Sequence, residues 1–226
     1  MNKSWELIGD TFSFFLRHFV AITLIVLPFT LVFESANMLL DSQAFKESVG
    51  EMAWLTFAVR LGLTPIYQGA LLLYLRSQLN GENWPIAECF KKSLTIWRPL
   101  FLVTVMCFAA VVMGLSLFII PGIIVASRIL IADVFCVVER RTPVEAMKAS
   151  WQATHPLRWP ILSGILILAG VSLLPVWMVQ QALINESASQ MTFLLSQIVG
   201  GLLDSLFVVF SFRVYNETLK QTPEPV

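Results

Sequence analysis

The chain has 226 residues, of which 57% are hydrophobic and 13% are charged, and its mean hydropathy is +0.75. A soluble domain carries about 25% charged residues, so this composition excludes an ordinary water-soluble protein. The formal net charge is zero, which offers no bulk attraction to nucleic acid. The composition therefore indicates a protein embedded in a membrane.

The N-terminal third predicts one amphipathic helix followed by two membrane spans. Large apolar residues recur at spacings of three and four over residues 3–17, which is the period of one helical face. The residues on that face are Trp5, Ile8, Phe12, Phe15 and Phe19. Apolar runs then predict spans at 19–40 and 52–75, separated by a polar loop at 41–51.

A second amphipathic helix is predicted over residues 85–97, ahead of the longest apolar stretch. Its apolar residues lie at helical spacing and are Ile86, Phe90, Leu94 and Trp97. Its opposite face is polar and carries Glu88, Lys91, Lys92 and Thr95. This division into two faces is typical of a helix that lies at a membrane surface.

The stretch from Pro99 to Val138 predicts a membrane hairpin. Its 40 residues contain only two charged groups, Arg128 and Asp133. A single helix of that length would measure about 60 Å, whereas a bilayer core is only about 30 Å thick. The segment must therefore fold back. Pro121-Gly122 is the predicted turn, between spans over 99–119 and 123–138 in the sequence, because proline interrupts a helix and glycine tolerates the turn.

A third amphipathic helix is predicted over residues 143–154. Thr142 and Glu145 have the spacing of a capping box, with Pro143 at the first helical position. Val144, Met147 and Trp151 face one way, and Glu145, Lys148 and Gln152 face the other.

The remaining residues predict two further spans, at 159–183 and 191–212, joined by a polar loop at 185–190. The polar tail at 221–226 is predicted to be disordered. Together the segments predict an all-α fold. It is an integral membrane bundle of six transmembrane helices with three interfacial amphipathic helices, in a single membrane domain over 1–226.

The amphipathic helices suggest an internal repeat. Superposing Ser93 on Ser150 also places Glu88 on Glu145. A weaker superposition places Ser13 on Ser93. The sequence thus predicts three repeats, each a surface helix followed by two spans, over 3–75, 83–138 and 140–212.

The distribution of basic residues predicts the orientation. With six spans, 12 Lys and Arg residues fall on the side that holds both termini, and only Lys46 falls in the opposite loops. Short loops rich in Lys and Arg stay in the cytoplasm. We therefore expect a bacterial inner (plasma) membrane protein with cytoplasmic N- and C-termini.

Five charged residues lie within the predicted spans. They are Glu34, Arg60, Arg128, Asp133 and Asp204. Helical rise places the first three in an outer layer about 9–12 Å deep and the last two about 18–20 Å deep. Such groups cost about 2.5–3.5 kcal/mol each in a bilayer, so they pair or line a wet cavity. They indicate either interhelical pairs that hold the bundle together, which we favour, or a path for an ion, a proton or a lipid headgroup.

The surface helices supply candidates for lipid contact, because basic and aromatic residues alternate there. The candidates are Lys91, Lys92, Trp97, Lys148 and Trp151. The three cysteines are Cys89, Cys107 and Cys136, and they lack the spacing of a zinc site or a disulfide framework. No catalytic residue, metal site or cofactor is predicted. The expected partners are membrane lipids and, as an open possibility, membrane proteins, but not nucleic acid.

The segment PGIIVASRILIADVFCVVERRTPVEAMKASW resembles the YciC family of bacterial inner-membrane proteins. It is also similar to the membrane domain of some glycerophosphodiester phosphodiesterases. The residues that carry the resemblance are Pro121, Gly122, Arg128, Glu139, Glu145, Ala146, Lys148, Ser150 and Trp151. The resemblance implies a six-span inner-membrane protein without an established activity, and it does not imply phosphodiesterase chemistry.

Two functions of different class therefore compete. The first is a non-enzymatic role, either structural and envelope-maintaining or lipid-interacting. The alternative is a small transporter or channel that uses Arg60, Arg128, Asp133 and Asp204. An intramembrane enzyme is disfavoured because HExxH, GxSxG and paired catalytic carboxylates in a soluble loop are all missing from the sequence.

Overall fold

The computed structural model describes residues 2–40, 49–184 and 190–221, and the regular structure in these ranges is entirely helical. Its helices are α1 (Asn2–Arg17), α2 (Phe19–Leu40), α3 (Val49–Leu79), α4 (Ile86–Thr95), α5 (Trp97–Leu117), α6 (Ile119–Ile129), α7 (Ala132–Val138), α8 (Pro143–Ala153), α9 (Arg158–Ile184) and α10 (Gln190–Gln221). The all-α prediction is confirmed. The predicted loops at 41–51 and 185–190 and the tail at 221–226 lie outside the described residues except at their ends. There the predicted bounds were wrong, because 49–51 belong to α3, Gln190 begins α10 and Gln221 ends it.

Three helical stretches are long and apolar enough to cross a membrane. They are Trp97–Leu117, Ile119–Val138 and Ile198–Lys220. Two bent pairs also qualify when each is counted as one unit, α1 with α2 at 80° and α8 with α9 at 106°. The described residues therefore provide three spans, or five if each bent pair is one span. Six spans with three interfacial helices stay a prediction.

The central apolar stretch folds into a tight hairpin of α5 and α6. The chain reverses at Phe118, whose backbone is extended with φ −163° and ψ 153°, three residues before the predicted turn at Pro121-Gly122. Pro121 lies in the first turn of α6, where N–H groups have no intrahelical acceptor, so it breaks no helical hydrogen bond. Gly122 permits close packing instead of forming the turn, because a Cβ on the facing Gly114 would lie 2.9 Å from Gly122 Cα.

The helices α3, α7 and α10 contact one another at the centre of the bundle, and each also carries a shorter helix. α4 packs on α3, α8 packs on α7, and α1 packs on α10. In the predicted repeats, each pair joins the second span of one repeat to the amphipathic helix of another. A cyclic three-fold repeat would produce this order of contacts, although the repeat itself stays a prediction.

Burial favours a different register for the first repeat. Ser93 is fully buried in α4, and Thr11 is fully buried in α1. The predicted equivalent, Ser13, is exposed. Aligning Thr11 with Ser93 also pairs Glu6 with Glu88. Within the predicted repeat, burial thus favours Thr11 over Ser13 as the counterpart of Ser93. The two positions cannot both fit, because a shift of two residues turns a helical side chain to the opposite face.

The helices bury their side chains unevenly along their length. One group of segments, here called the packed half, is mostly buried and comprises residues 69–77 of α3, 131–137 around α7 and 205–215 of α10. A second group, the open half, is mostly exposed or half-buried and comprises residues 54–60 of α3, 112–120 of the hairpin and 199–204 of α10. The bundle therefore has a core at one end and exposed apolar side chains at the other.

Candidate functional site

The three central helices line an open cavity of about 400 Å³ where the packed half meets the open half. Its polar lining residues are Arg60, Thr64, Tyr67 and Gln68 of α3, Asp133 of α7, and Asp204 and Ser211 of α10. The apolar part of the wall is formed by Leu130, Phe207 and Val208. This volume falls within the range of about 300–1,000 Å³ that is usual for small-molecule sites.

Arg60 and Asp204 form a loose ion pair across the cavity. Arg60 Nη2 lies 3.9 Å from Asp204 Oδ2, close to the distance of about 4 Å beyond which such a pair is no longer counted. The side chains remain 65% and 52% exposed, respectively. Because a guanidinium has five donors, Arg60 retains hydrogen-bonding capacity toward a second group.

Asp133 has no ion-pair partner among the residues that the structure describes. Its Oδ1 atom accepts a hydrogen bond of 3.1 Å from the Val134 backbone N–H, at the start of α7. The side chain therefore brings a carboxylate to the cavity wall without a neutralising Lys or Arg. One guanidinium and two carboxylates give the cavity a formal charge of −1 when all three groups are ionised.

A polar network joins the ends of the same three helices on the far side of the packed half. Arg76 Nη1 of α3 donates to the Val138 carbonyl at 3.2 Å. Tyr215 of α10 donates from its hydroxyl to Glu139 Oε1 at 3.0 Å. The second oxygen of Glu139 accepts from Arg141 Nε at 2.6 Å. These contacts tie α3, α7 and α10 together beneath the cavity.

The short helix α8 docks where α6 breaks. Because α6 ends at Ile129, the Arg128 carbonyl lies near a helix end, where carbonyls need partners from outside the helix. Ser150 Oγ donates to it at 2.8 Å and Thr154 Oγ1 at 3.2 Å. Ser93 Oγ makes an equivalent 2.7 Å hydrogen bond from α4 to the Ile66 carbonyl. The two serines that the sequence comparison superposes therefore make the same type of contact.

Arg128 itself lies beneath α8 and does not line the central cavity. Its guanidinium carbon is 5.5 Å from the centre of the Trp151 ring. Its Nη1 atom is buried and has no hydrogen-bond partner among the described residues. A buried donor without an acceptor is unfavourable by about 1–3 kcal/mol, and more when it is charged. Arg128 thus places a guanidinium with one unpaired buried nitrogen next to α8.

The exposed face of α8 combines apolar and basic side chains. Val144 and Trp151 are 50% and 46% exposed, and Lys148 is exposed between them, four residues after one and three before the other. The face that packs on the bundle consists of small residues, among them Ala146, Ala149 and Ser150. Small residues together with the half-buried Met147 therefore attach α8 to the protein, and Val144 and Trp151 remain exposed.

The predicted lipid-contact residues of segment 85–97 differ in whether they already have a partner within the protein, and Trp97 begins α5 instead of ending the predicted amphipathic helix. Lys92 Nζ lies 2.9 Å from Glu88 Oε1 and 3.1 Å from the centre of the Trp84 ring. Trp97 Nε1 donates to the Gly62 carbonyl at 2.9 Å, so this ring holds α5 against α3. Lys91 is exposed and forms no ion pair with any described residue.

The structure brings together three of the five charged residues predicted within the spans, Arg60, Asp133 and Asp204. The predicted two layers are not separate, because Arg60 and Asp204 pair across them. Arg128 lies elsewhere, and the Glu34 side chain falls outside the described residues. The sequence analysis did not single out Tyr67 or Gln68. Their spacing of seven and eight residues after Arg60 places all three on one helical face, and this was the available signal.

Comparison with known proteins gives the family. The family model of an uncharacterised protein family (UPF0259) matches residues 50–216. A UPF0259 membrane protein of Photorhabdus laumondii is 26% identical over 147 residues, which cover 65% of this chain and 57% of that relative. No solved structure matches the chain. The YciC resemblance is consistent with this family, whereas the similarity to a phosphodiesterase membrane domain stays a prediction. The family match covers most of the chain, including the cavity and α8. The chain therefore belongs to the uncharacterised UPF0259 family of membrane proteins.

Proposed function

We propose that this protein is a non-enzymatic component of the bacterial inner membrane that binds anionic lipids through α8 and α4. In this role it supports the envelope structurally and does not transform a substrate. Its partners are membrane lipids and, in an envelope-maintaining assembly, other membrane proteins, with no role for nucleic acid.

The exposed face of α8, where Lys148 lies between Val144 and Trp151, is the observation that carries this proposal. Arg128 lies next to this face, with its guanidinium carbon 5.5 Å from the centre of the Trp151 ring. A lipid phosphate can accept from the Lys148 ammonium, and such charge-assisted hydrogen bonds are stronger than neutral ones. The exposed apolar residues of α8 supply the matching contact with acyl chains.

The proposal requires α8 and α4 to lie at the cytoplasmic membrane surface, where anionic lipids attract basic residues. The asymmetry of Lys and Arg in the sequence supports this orientation, with both termini in the cytoplasm. Compartment-specific tags inserted at Ala44 and fused after Val226 test it. We expect the two tags in opposite compartments, and a shared compartment would overturn the proposed orientation.

Lipid analysis of the purified full-length protein tests the proposed binding. Extraction in native lipid particles followed by mass spectrometry should show enrichment of anionic phospholipid over the bulk membrane. Each basic residue near an anionic surface contributes about 1 kcal/mol, or about five-fold in affinity. The double variant Lys91→Gln/Lys148→Gln should therefore lose most of the enrichment.

Lys92→Gln is the matched control, because Lys92 already pairs with Glu88 and covers the Trp84 ring. It should retain the enrichment of the unmodified protein. Equal lipid composition in all variants, or no anionic enrichment in the unmodified protein, would refute lipid binding through these helices.

A further inference from the structure

The central cavity lies apart from the exposed face of α8 and carries a different charge pattern. We propose that it binds a zwitterionic group in which a primary ammonium stands next to a phosphate, as in an aminophospholipid headgroup. The proposal concerns residues of α3, α7 and α10 and does not depend on lipid binding at α8.

The charge balance of the cavity selects for a cation. The Asp133 carboxylate accepts from the Val134 backbone N–H and forms no ion pair with a described residue. Asp204 shares a single contact of 3.9 Å with Arg60. An ionised group away from water is costly unless a partner compensates it. A ligand ammonium lying between the two carboxylates would supply three donors and the missing positive charge.

Arg60 makes the site suitable for a zwitterion instead of a simple cation. Its guanidinium is 65% exposed in the open half and meets Asp204 only at the limit of an ion pair. It can therefore donate to a phosphate while the ammonium occupies the carboxylate side. Tyr67 and Gln68 line the same wall and add uncharged hydrogen-bonding groups.

A small space that shares polar residues with the cavity, and whose remaining walls are largely apolar, favours an amphiphilic ligand over a soluble one. This space of about 30 Å³ lies between α2, α3 and α10 and shares Arg60, Thr64, Tyr67 and Asp204 with the cavity. Its other walls are largely apolar, formed by Val26, Phe29, Thr30, Phe33 and Gly201. A headgroup held by the charges would therefore have an apolar surface beside it for the start of an acyl chain.

Native mass spectrometry of the delipidated full-length protein tests this assignment. The titrated probes are phosphatidylethanolamine, phosphatidylcholine and phosphatidylglycerol. Phosphatidylethanolamine should bind at least ten-fold more tightly than phosphatidylcholine, whose quaternary ammonium has no N–H donor. It should still bind to the Lys91→Gln/Lys148→Gln variant, because the cavity does not include those lysines. Equal binding of phosphatidylethanolamine and phosphatidylcholine by the unmodified protein would by itself overturn the proposal.

Variants locate the site. Asp133→Asn and Asp204→Asn should each weaken phosphatidylethanolamine binding at least ten-fold while anionic lipid enrichment at α8 persists. Asp10→Asn is the matched control, because Asp10 is exposed on α1 away from the cavity residues. Retention of phosphatidylethanolamine by both cavity variants would refute the assignment.

Soluble phosphoethanolamine and ethanolamine distinguish a lipid from a free metabolite. The proposal expects phosphoethanolamine to compete with the lipid and Arg60→Gln to abolish its advantage over ethanolamine. Binding of ethanolamine as tight as that of phosphoethanolamine in the unmodified protein would contradict a role for Arg60 in holding phosphate. Competition by neither compound, with the lipid still bound, would contradict headgroup recognition.

Discussion

The packed half and the open half of this bundle are built from the same three helices and differ in what those helices meet. In the packed half, α3 buries Leu71, Leu72 and Leu75 completely, and short helices cover it. In the open half, Trp54 of α3 and Phe118 of the hairpin are both 74% exposed. Exposed apolar residues on this scale mark a surface that contacts lipid or another protein. The comparison shows that the packed half is held by contacts within the protein and the open half requires a surrounding membrane.

The same comparison explains where the charged residues lie. Arg60 and Asp204 belong to the open half, where their side chains stay 65% and 52% exposed and can meet solvent or a ligand. Asp133 lies within the packed half but faces the cavity at its boundary. A cavity at this junction combines a firm base with an accessible mouth, which is the arrangement expected of a binding site.

Matched glycine substitutions in α3, one inside the packed half and one next to the open half, should give the strongest contrast. A Cβ at Gly69 would lie 2.5 Å from Ser93 Oγ and 2.8 Å from Leu100 Cδ2. Gly69→Ala should therefore lower the free energy of unfolding by about 1–3 kcal/mol, the usual cost of overpacking. Gly62→Ala meets nothing within 4 Å and should be neutral or stabilising by up to about 1 kcal/mol. Unfolding in mixed micelles measures both, and equal losses would remove the distinction.

Serine substitutions should give a smaller effect of the same kind. Ser150→Ala removes the 2.8 Å hydrogen bond to the Arg128 carbonyl, and should lower the unfolding free energy by about 1 kcal/mol. Ser116→Ala is the control in the open half, because Ser116 is exposed and donates only to the Met113 carbonyl within its own helix. A loss from Ser116→Ala as large as that from Ser150→Ala would show that docking of α8 adds no special stability.

Acidification should produce the smallest effect, confined to the start of α8. Hydrogen bonds from the Thr142 hydroxyl and backbone N–H hold the pKa of Glu145 below its ordinary value of 4.5. A carboxylate with a lowered folded-state pKa stabilises the fold above its unfolded-state pKa, and this contribution disappears as the pH falls through the folded value. Protection of the Ala146 amide, measured against its intrinsic exchange rate at each pH, should therefore fall below pH 4.5.

Glu145→Gln supplies the control for the acid response. The glutamine does not titrate. Protection in the first turn of α8, measured against the intrinsic exchange rate, should therefore no longer fall with pH. If the variant retains the full acid response, the capping carboxylate is not its source.

Much of the helical framework could be predicted from sequence because apolar runs and turn residues are local signals. The helix predicted over 143–154 begins at the same residue as α8 and ends one residue after it. Its start was predictable because Thr142, Pro143 and Glu145 specify it. The hairpin turn was misplaced because Pro121 and Gly122 are also suited to the first turn of a helix and to close helix contact. The sequence contains no local signal that distinguishes these uses.

The cavity was only partly predictable. The cost of burying charge identified Arg60, Asp133 and Asp204 as candidates, but depth counted along straight helices separated Arg60 from Asp204. A long arginine side chain crosses that separation, as its contact with Asp204 shows. Arg128 looked equivalent in sequence, yet its helix ends one residue later and its side chain turns toward Trp151.

Thiol accessibility along α3 tests the division of the bundle most directly. In a protein whose native Cys89, Cys107 and Cys136 are replaced by alanine, single cysteines at Thr64 and Leu72 would be exposed to a membrane-impermeant maleimide in reconstituted vesicles. Thr64 lines the cavity, whereas Leu72 is completely buried. The account predicts labelling at position 64 and protection at position 72. Protection at both positions, or equal labelling of both, would contradict an open cavity above a packed core.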